Sequence, residues 1–169
     1  MIKLPPGIEV ETIPLEKRYK SNLRGLLIRI RKLYEAIEDR FGEDGLDLIA
    51  EVSMEYGQEI ADRVKAREGE MDIHAVGLFL VKVFNGMRSK GEITEWTDQR
   101  VCIMVPECPY PFTRPQTCKA HTSMEEALVK GLNPELDYVI EKCIPKGDSE
   151  CWHVLRDVES GKNLSVDNS

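Results

Sequence analysis

The hydrophobic period changes at Gly91, and that change constrains the fold more than any other feature of the chain. Before it, apolar residues recur every three to four positions, which is the period of a helix packed on one side. Leu23, Leu26, Ile30, Leu33, Ile37 and Phe41 define an amphipathic helix over 14–41. Gly42 and Gly45 end it and open a second, which runs to about Arg67 with Leu48, Val52, Tyr56, Ile60 and Val64 on one face. Asp72 stands where a helix cap is needed for a third, Ile73 to Met87. That segment is apolar nearly all round, so its neighbours are expected to bury it.

After Gly91, strands replace helices. Glu92 to Trp96 and Arg100 to Val105 read as short strands, with Val101, Ile103 and Val105 sharing one face of the second. Pro106 to Pro115 is a loop with four prolines. Gln116 to Lys130 reads as a helix with Met124, Ala127 and Leu128 inward, stopped by Gly131-Leu132-Asn133-Pro134. Leu136 to Ile144 and Cys151 to Asp157 are strands joined by the turn-rich Pro145 to Ser149. Helices segregated from an antiparallel sheet predict an α+β fold, with N-terminal helices packed on a small sheet that ends in a hairpin. A length of 169 residues suits one domain, 14–159, with a helical part 14–88 and an αβ part 92–157. An extended arm 1–13, in which Pro5-Pro6-Gly7 bars a helix, and a flexible polar tail 160–169 flank it.

The net charge of −7 argues against nucleic acid as a partner, because phosphate contacts need clustered Lys and Arg. The basic stretch from Lys17 to Lys32 alternates with leucines and isoleucines and reads as a solvated helix face. No apolar run reaches the roughly 18 residues that span a bilayer, and no signal peptide is evident, so a cytoplasmic location is expected without a membrane. Thiols stay reduced there, and five cysteines point to metal or catalysis before disulfides.

Four of those cysteines lie between Cys108 and Cys151. Cys108 and Cys118 flank the proline loop, while Cys143 closes one strand and Cys151 opens the next. A hairpin brings the last two together, and the loop need only fold back to complete a site. Tetrahedral sulfur and nitrogen ligation suits zinc, and Lys119, Arg114, Lys142 and Lys146 stand close enough in sequence to offset the thiolate charge. His121, three residues after Cys118, and His153, two after Cys151, compete with Cys108 as fourth ligand. An iron–sulfur cluster is the alternative, though the spacing fits neither common ferredoxin run. Cys102, in an alternating strand, reads as a core thiol, and His74 as an ordinary helix residue.

Cys118, the helix after it, Leu132-Asn133-Pro134 and then Glu141-Lys142-Cys143-Ile144-Pro145-Lys146-Gly147-Asp148-Ser149-Glu150-Cys151 resemble the 4-vinyl reductase-type small-molecule-binding domain. They also resemble the related amino-thiazoline carboxylate hydrolase-like family. The first resemblance implies a zinc ion on Cys118, Cys143 and Cys151 with Cys108 fourth, an apolar ligand pocket beside it, and a homodimer. The expected function is then the binding or sensing of a small apolar molecule. Phe79, Phe84, Trp96, Tyr110, Phe112, Tyr138 and Trp152 are pocket candidates, enclosed between the buried helix and the sheet. The alternative is a metal-dependent hydrolase of a small cyclic C–N substrate, with Glu107, His121, Asp148 or His153 as general base.

Overall fold

The computed structural model describes residues 13–158; the remainder of the predicted arm and the tail lie outside the described residues. Three helices come first: α1 (Leu15–Phe41), α2 (Glu43–Glu68) and α3 (Ile73–Gly86). They are followed by β1 (Glu92–Trp96), β2 (Arg100–Val105), α4 (Pro115–Leu132), β3 (Leu136–Lys142), a single 3-10 turn (Ile144–Lys146) and β4 (Cys151–Asp157). The strands form one antiparallel sheet in the order β1-β2-β4-β3. This is the α+β architecture that the change of period predicts.

Local chemistry explains most boundaries. The Asp72 side chain accepts the Ala75 N–H at 2.7 Å and starts α3. Pro115 occupies the first turn of α4, where a missing N–H costs nothing. The strand expected to run to Ile144 stops at Lys142 instead. The Cys143 N–H is taken by the Asp148 carboxylate at 2.7 Å, and Gly147 turns the chain at φ 106°.

α3 packs on the sheet through Val76, Gly77, Leu80 and Phe84, meeting Val101 and Ile103 in the main core. Leu78 and Val83 face outward, so α3 is less enclosed than its composition predicts. The expected inward stripes of α1 and α2 are also corrected. Leu26, Leu33 and Phe41 of α1 and Leu48, Val52 and Tyr56 of α2 are each half-exposed or more. α2 buries Gly45, Ile49, Ser53, Gly57 and Ala61 instead, and of its expected face Val64 is buried and Ile60 packs against the core.

The physical reason is backbone proximity. A Cβ on Gly57 would stand 2.2 Å from the Met124 carbonyl oxygen, and one on Gly131 would stand 2.5 Å from the Ala61 Cβ. Small residues let α2 and α4 approach until their backbones touch, and the dispersion gained there outweighs burial of the larger stripe. Gly57→Ala should therefore lower the unfolding free energy by about 1–3 kcal/mol, through overpacking. Gly25→Ala, with open space around it in α1, should raise stability by up to about 1 kcal/mol. Urea denaturation of the two variants checks both signs.

Candidate functional site

Strand pairing gathers the cysteines. Val105, the last residue of β2, pairs with Cys151, the first of β4, so the proline loop leaves the sheet beside the β3–β4 turn. Cys118 sits in the first turn of α4, its N–H donating to the Arg114 carbonyl at 3.1 Å. Its Sγ lies 3.9 Å from the Cys143 Sγ. Phe112 packs on both sulfurs, with Cys108, Tyr110, Tyr34 and Ile140 around them. The Cys151 Sγ accepts the Ile144 N–H at 3.3 Å. Burial, and after it the neighbouring sulfurs Cys143 and Cys108, pushes the Cys118 thiol well above its ordinary range. Burial likewise raises Cys108, and takes Cys151 to about 11. Among the described residues, no group of three or more His, Cys, Asp and Glu side chains is gathered as a metal site. What the structure brings together is the Cys118–Cys143 pair, with Cys108 beside it and Cys151 in contact with Cys143. Cys102 is separate, buried in β2 opposite Val154.

Next to the sulfurs is a buried aromatic cluster. The His121 ring has Tyr110 at 4.1 Å, Phe112 at 5.2 Å and Tyr34 at 5.8 Å between centroids. Neither of its ring nitrogens has a hydrogen-bond partner among the described residues. One helical turn further along α4, Glu125 is also buried, and its Oε2 has no partner among them either. Burial pushes the Glu125 carboxyl up to about 7 and the His121 imidazole down to about 4. Glu125 in turn helps to raise the Tyr110 and Tyr138 hydroxyls, for which burial is the main cause.

Linkage fixes the sign of the pH effects. The folded Glu125 carboxyl binds its proton more tightly than the unfolded one, so its contribution to stability is lost as pH rises from about 4.5 through about 7. His121 and His153, both held at about 4 by burial, cost stability as pH falls from about 6.5 to about 4. Unpartnered buried polar atoms are uncommon, because each carries its desolvation penalty without return.

The other predicted residues are distributed over the molecule. Phe112 lies in the aromatic cluster, beside Tyr110. Tyr138 is buried in the main core, its hydroxyl bonded to His153 Nδ1. Phe84 packs on His153 in the same core, the rings tilted by 48° with centroids 4.6 Å apart. Phe79 lies on α3 against Met71 and Ala75, along a separate surface cleft. Trp96 is exposed at the sheet edge, stacked on His74 at 4.4 Å. Trp152 lies under the Lys142 ammonium, 3.7 Å from it, and donates to Glu150. These aromatics do not enclose one pocket between α3 and the sheet. Of the candidate bases, Glu107 is paired with Lys90 at 2.9 Å, which holds its carboxyl below the usual range, and Asp148 braces the Cys143 backbone. Sequence reasoning missed Glu125 and Tyr34. Glu125 follows His121 by four residues on the inward face of α4, a spacing that marks a carboxylate aimed into the core. Tyr34 carried no such signal.

No known family profile matches the chain, and no curated protein does either. Solved structures do. One is a trafficking protein particle complex subunit 3 from Naegleria fowleri covalently bound to palmitic acid: 14% identical, TM-score 0.58, covering 82% of this chain and 96% of that one. Another is the phenol-responsive sensory domain of the transcription activator PoxR with phenol: 13% identical, TM-score 0.57, covering 85% of this chain and 82% of that one. At such identities the likeness is one of fold. It does not show the 4-vinyl reductase-type family itself. No helix among the described residues is long and apolar enough to cross a membrane.

Proposed function

We propose that this protein binds a small, mostly apolar molecule that carries one hydrogen-bonding group, among the side chains of Tyr34, Tyr110, Phe112, His121 and Glu125, which part to admit it. The observation that carries this reading is the pair of buried, unpartnered polar groups among aromatic rings. Apolar walls with a few convergent polar atoms are the usual composition of a small-molecule site. Two proteins that share the fold, one with phenol and one covalently bound to palmitic acid, support it by analogy. The hydrolytic reading draws no such support, since Glu107 is tied to Lys90 and Asp148 to the backbone.

Zinc belongs to the same proposal. A tetrahedral zinc–thiolate site has sulfurs about 3.8 Å apart, and Cys118 and Cys143 stand at 3.9 Å. Crowded, buried thiols that resist ionisation are groups a divalent cation would hold as thiolates. Cys108 and Cys151 complete the proposed set, and the metal would fasten the proline loop to the hairpin beside the aromatic cluster. We also place the homodimer on the half-exposed stripe of Leu48, Val52 and Tyr56. Lys17 to Lys32 holds seven cations and no carboxylate, and 43–62 holds seven carboxylates and no cation. A second copy can set the basic stretch of one chain against the acidic stretch of the other.

Calorimetric titration with phenol, indole and benzylamine tests the aromatic cluster. At least one should bind, and His121→Phe and Glu125→Leu should each weaken it ten-fold or more. Binding unchanged in both variants would place the ligand elsewhere. Native mass spectrometry tests metal and dimer together. The expected species has twice the chain mass and one zinc per chain. Cys143→Ser should lose the zinc and melt lower, and Leu48→Glu combined with Val52→Glu should give a metal-loaded monomer. A parent chain that flies as a monomer, or a Cys143→Ser protein that keeps its metal and its melting temperature, would contradict the respective assignment.

A further inference from the structure

A second cleft, of about 420 Å³, opens between α1, the turn from α3 to β1 and the proline loop, and it shares only Cys108 with the sulfur cluster. Its apolar lining includes Leu23, Leu27, Met87 and Pro109. Its charged lining is four cations, Lys20, Arg24, Arg88 and Lys90, against one carboxylate, Glu107. In a chain of net charge −7 that is a local reversal of sign. Lys20 and Arg24 lie four residues apart on α1, where like charges repel, and neither has an ion-pair partner among the described residues. Lys90 is held by Glu107 at 2.9 Å, and Arg88 by Glu16 at 3.9 Å.

The backbone adds an independent observation. Arg88 and Lys90 are the only non-glycine residues among those described with positive φ, at 63° and 53°. Long side chains rarely adopt that conformation, and such strain collects at functional sites. Ser89 between them is buried, its hydroxyl donating to the Phe84 carbonyl at 2.5 Å, so the turn is fixed. The walls are fastened too: Tyr19 donates to the Gly86 carbonyl at 2.5 Å and Arg31 to the Pro111 carbonyl at 3.1 Å. Glycine would relieve the backbone at both strained positions, yet the chain carries cations there.

We propose that this cleft binds an amphipathic carboxylate. Its head group is held among Lys20, Arg24 and Arg88, and its apolar chain lies on Leu23, Leu27 and Met87. Lys90 is already paired with Glu107 and Arg88 loosely with Glu16, so Lys20 and Arg24 are the cations that most need the head group's charge. The volume falls within the roughly 300–1,000 Å³ of small-molecule sites. The head group relieves the repulsion along α1, and the apolar lining distinguishes an amphiphile from a simple anion.

Calorimetric titration of the full chain with sodium decanoate, 1-decanol and sodium sulfate tests this. Decanoate should bind one per chain, with affinity falling as salt is added. Decanol and sulfate should each bind at least ten-fold more weakly. Arg24→Gln should weaken decanoate at least five-fold. Arg88→Gly should weaken it as well while raising the melting temperature, a combination that a purely structural arginine would not give. Equal binding of decanol, undiminished binding by both variants, or no decanoate binding at all would overturn the proposal. So would co-sedimentation with phosphatidylglycerol vesicles that the same substitutions abolish while decanoate fails to bind, which would make the patch a membrane contact.

Discussion

The close approach of α2 and α4 governs the rest of the structure. Gly57 faces the Met124 carbonyl, and Gly131 faces Ala61, at distances no side chain could occupy. Once those backbones touch, the rotation of α4 about its axis is set. Leu128, Val129 and Leu132 must then enter the main core, and Glu125, His121 and Cys118 must lie along the same inward side, about one, two and three turns earlier. The placement of the polar groups is thus a consequence of helix packing, independent of any favourable contact of their own.

The sheet supplies the other half of the site. Pairing of Val105 with Cys151 brings the ends of β2 and β4 together, and the 3-10 turn after β3 carries Cys143 to the same place. The proline loop must cross from β2 to α4 over this point, so Phe112 and Tyr110 are laid against the sulfurs and against His121. Arg114 then ties the loop to α1 through Glu38 and Asp39, and Thr113 does so through Glu35. Two elements that the core fixes independently thus converge on one aromatic cluster, and the loop closes it.

Much of this architecture was legible in the sequence, because it follows from local rules. The Asp72 cap, the breaks at Gly42 and Gly131-Leu132-Asn133-Pro134, and the alternation of Val101, Ile103 and Val105 each act over a few residues. The nearness of Cys143 and Cys151 was legible from the hairpin, whereas the approach of Cys118 depended on how the loop and α4 fold back. The buried faces of α1 and α2 were not. A hydrophobic stripe shows which side of a helix avoids water, and here the small residues of α2 claimed the intramolecular contact first. The pocket candidates were chosen by aromaticity alone, which cannot separate a core Tyr138 or an edge Trp96 from a ring facing a site. Glu125 was overlooked because charged residues are expected on the surface. The sequence spacing that marks it becomes informative only when the rotation of α4 is known.

The central claim is that helix packing buries the Glu125 carboxyl beside aromatic rings, with no partner for its Oε2 among the described residues. Titration of the assigned Glu125 side-chain carboxyl by carbon-13 NMR, with Glu125→Gln for assignment, reads this directly. The account predicts a midpoint near about 7. A midpoint at the ordinary carboxylate value of 4.5 would show the group to be solvated or paired, and would contradict it.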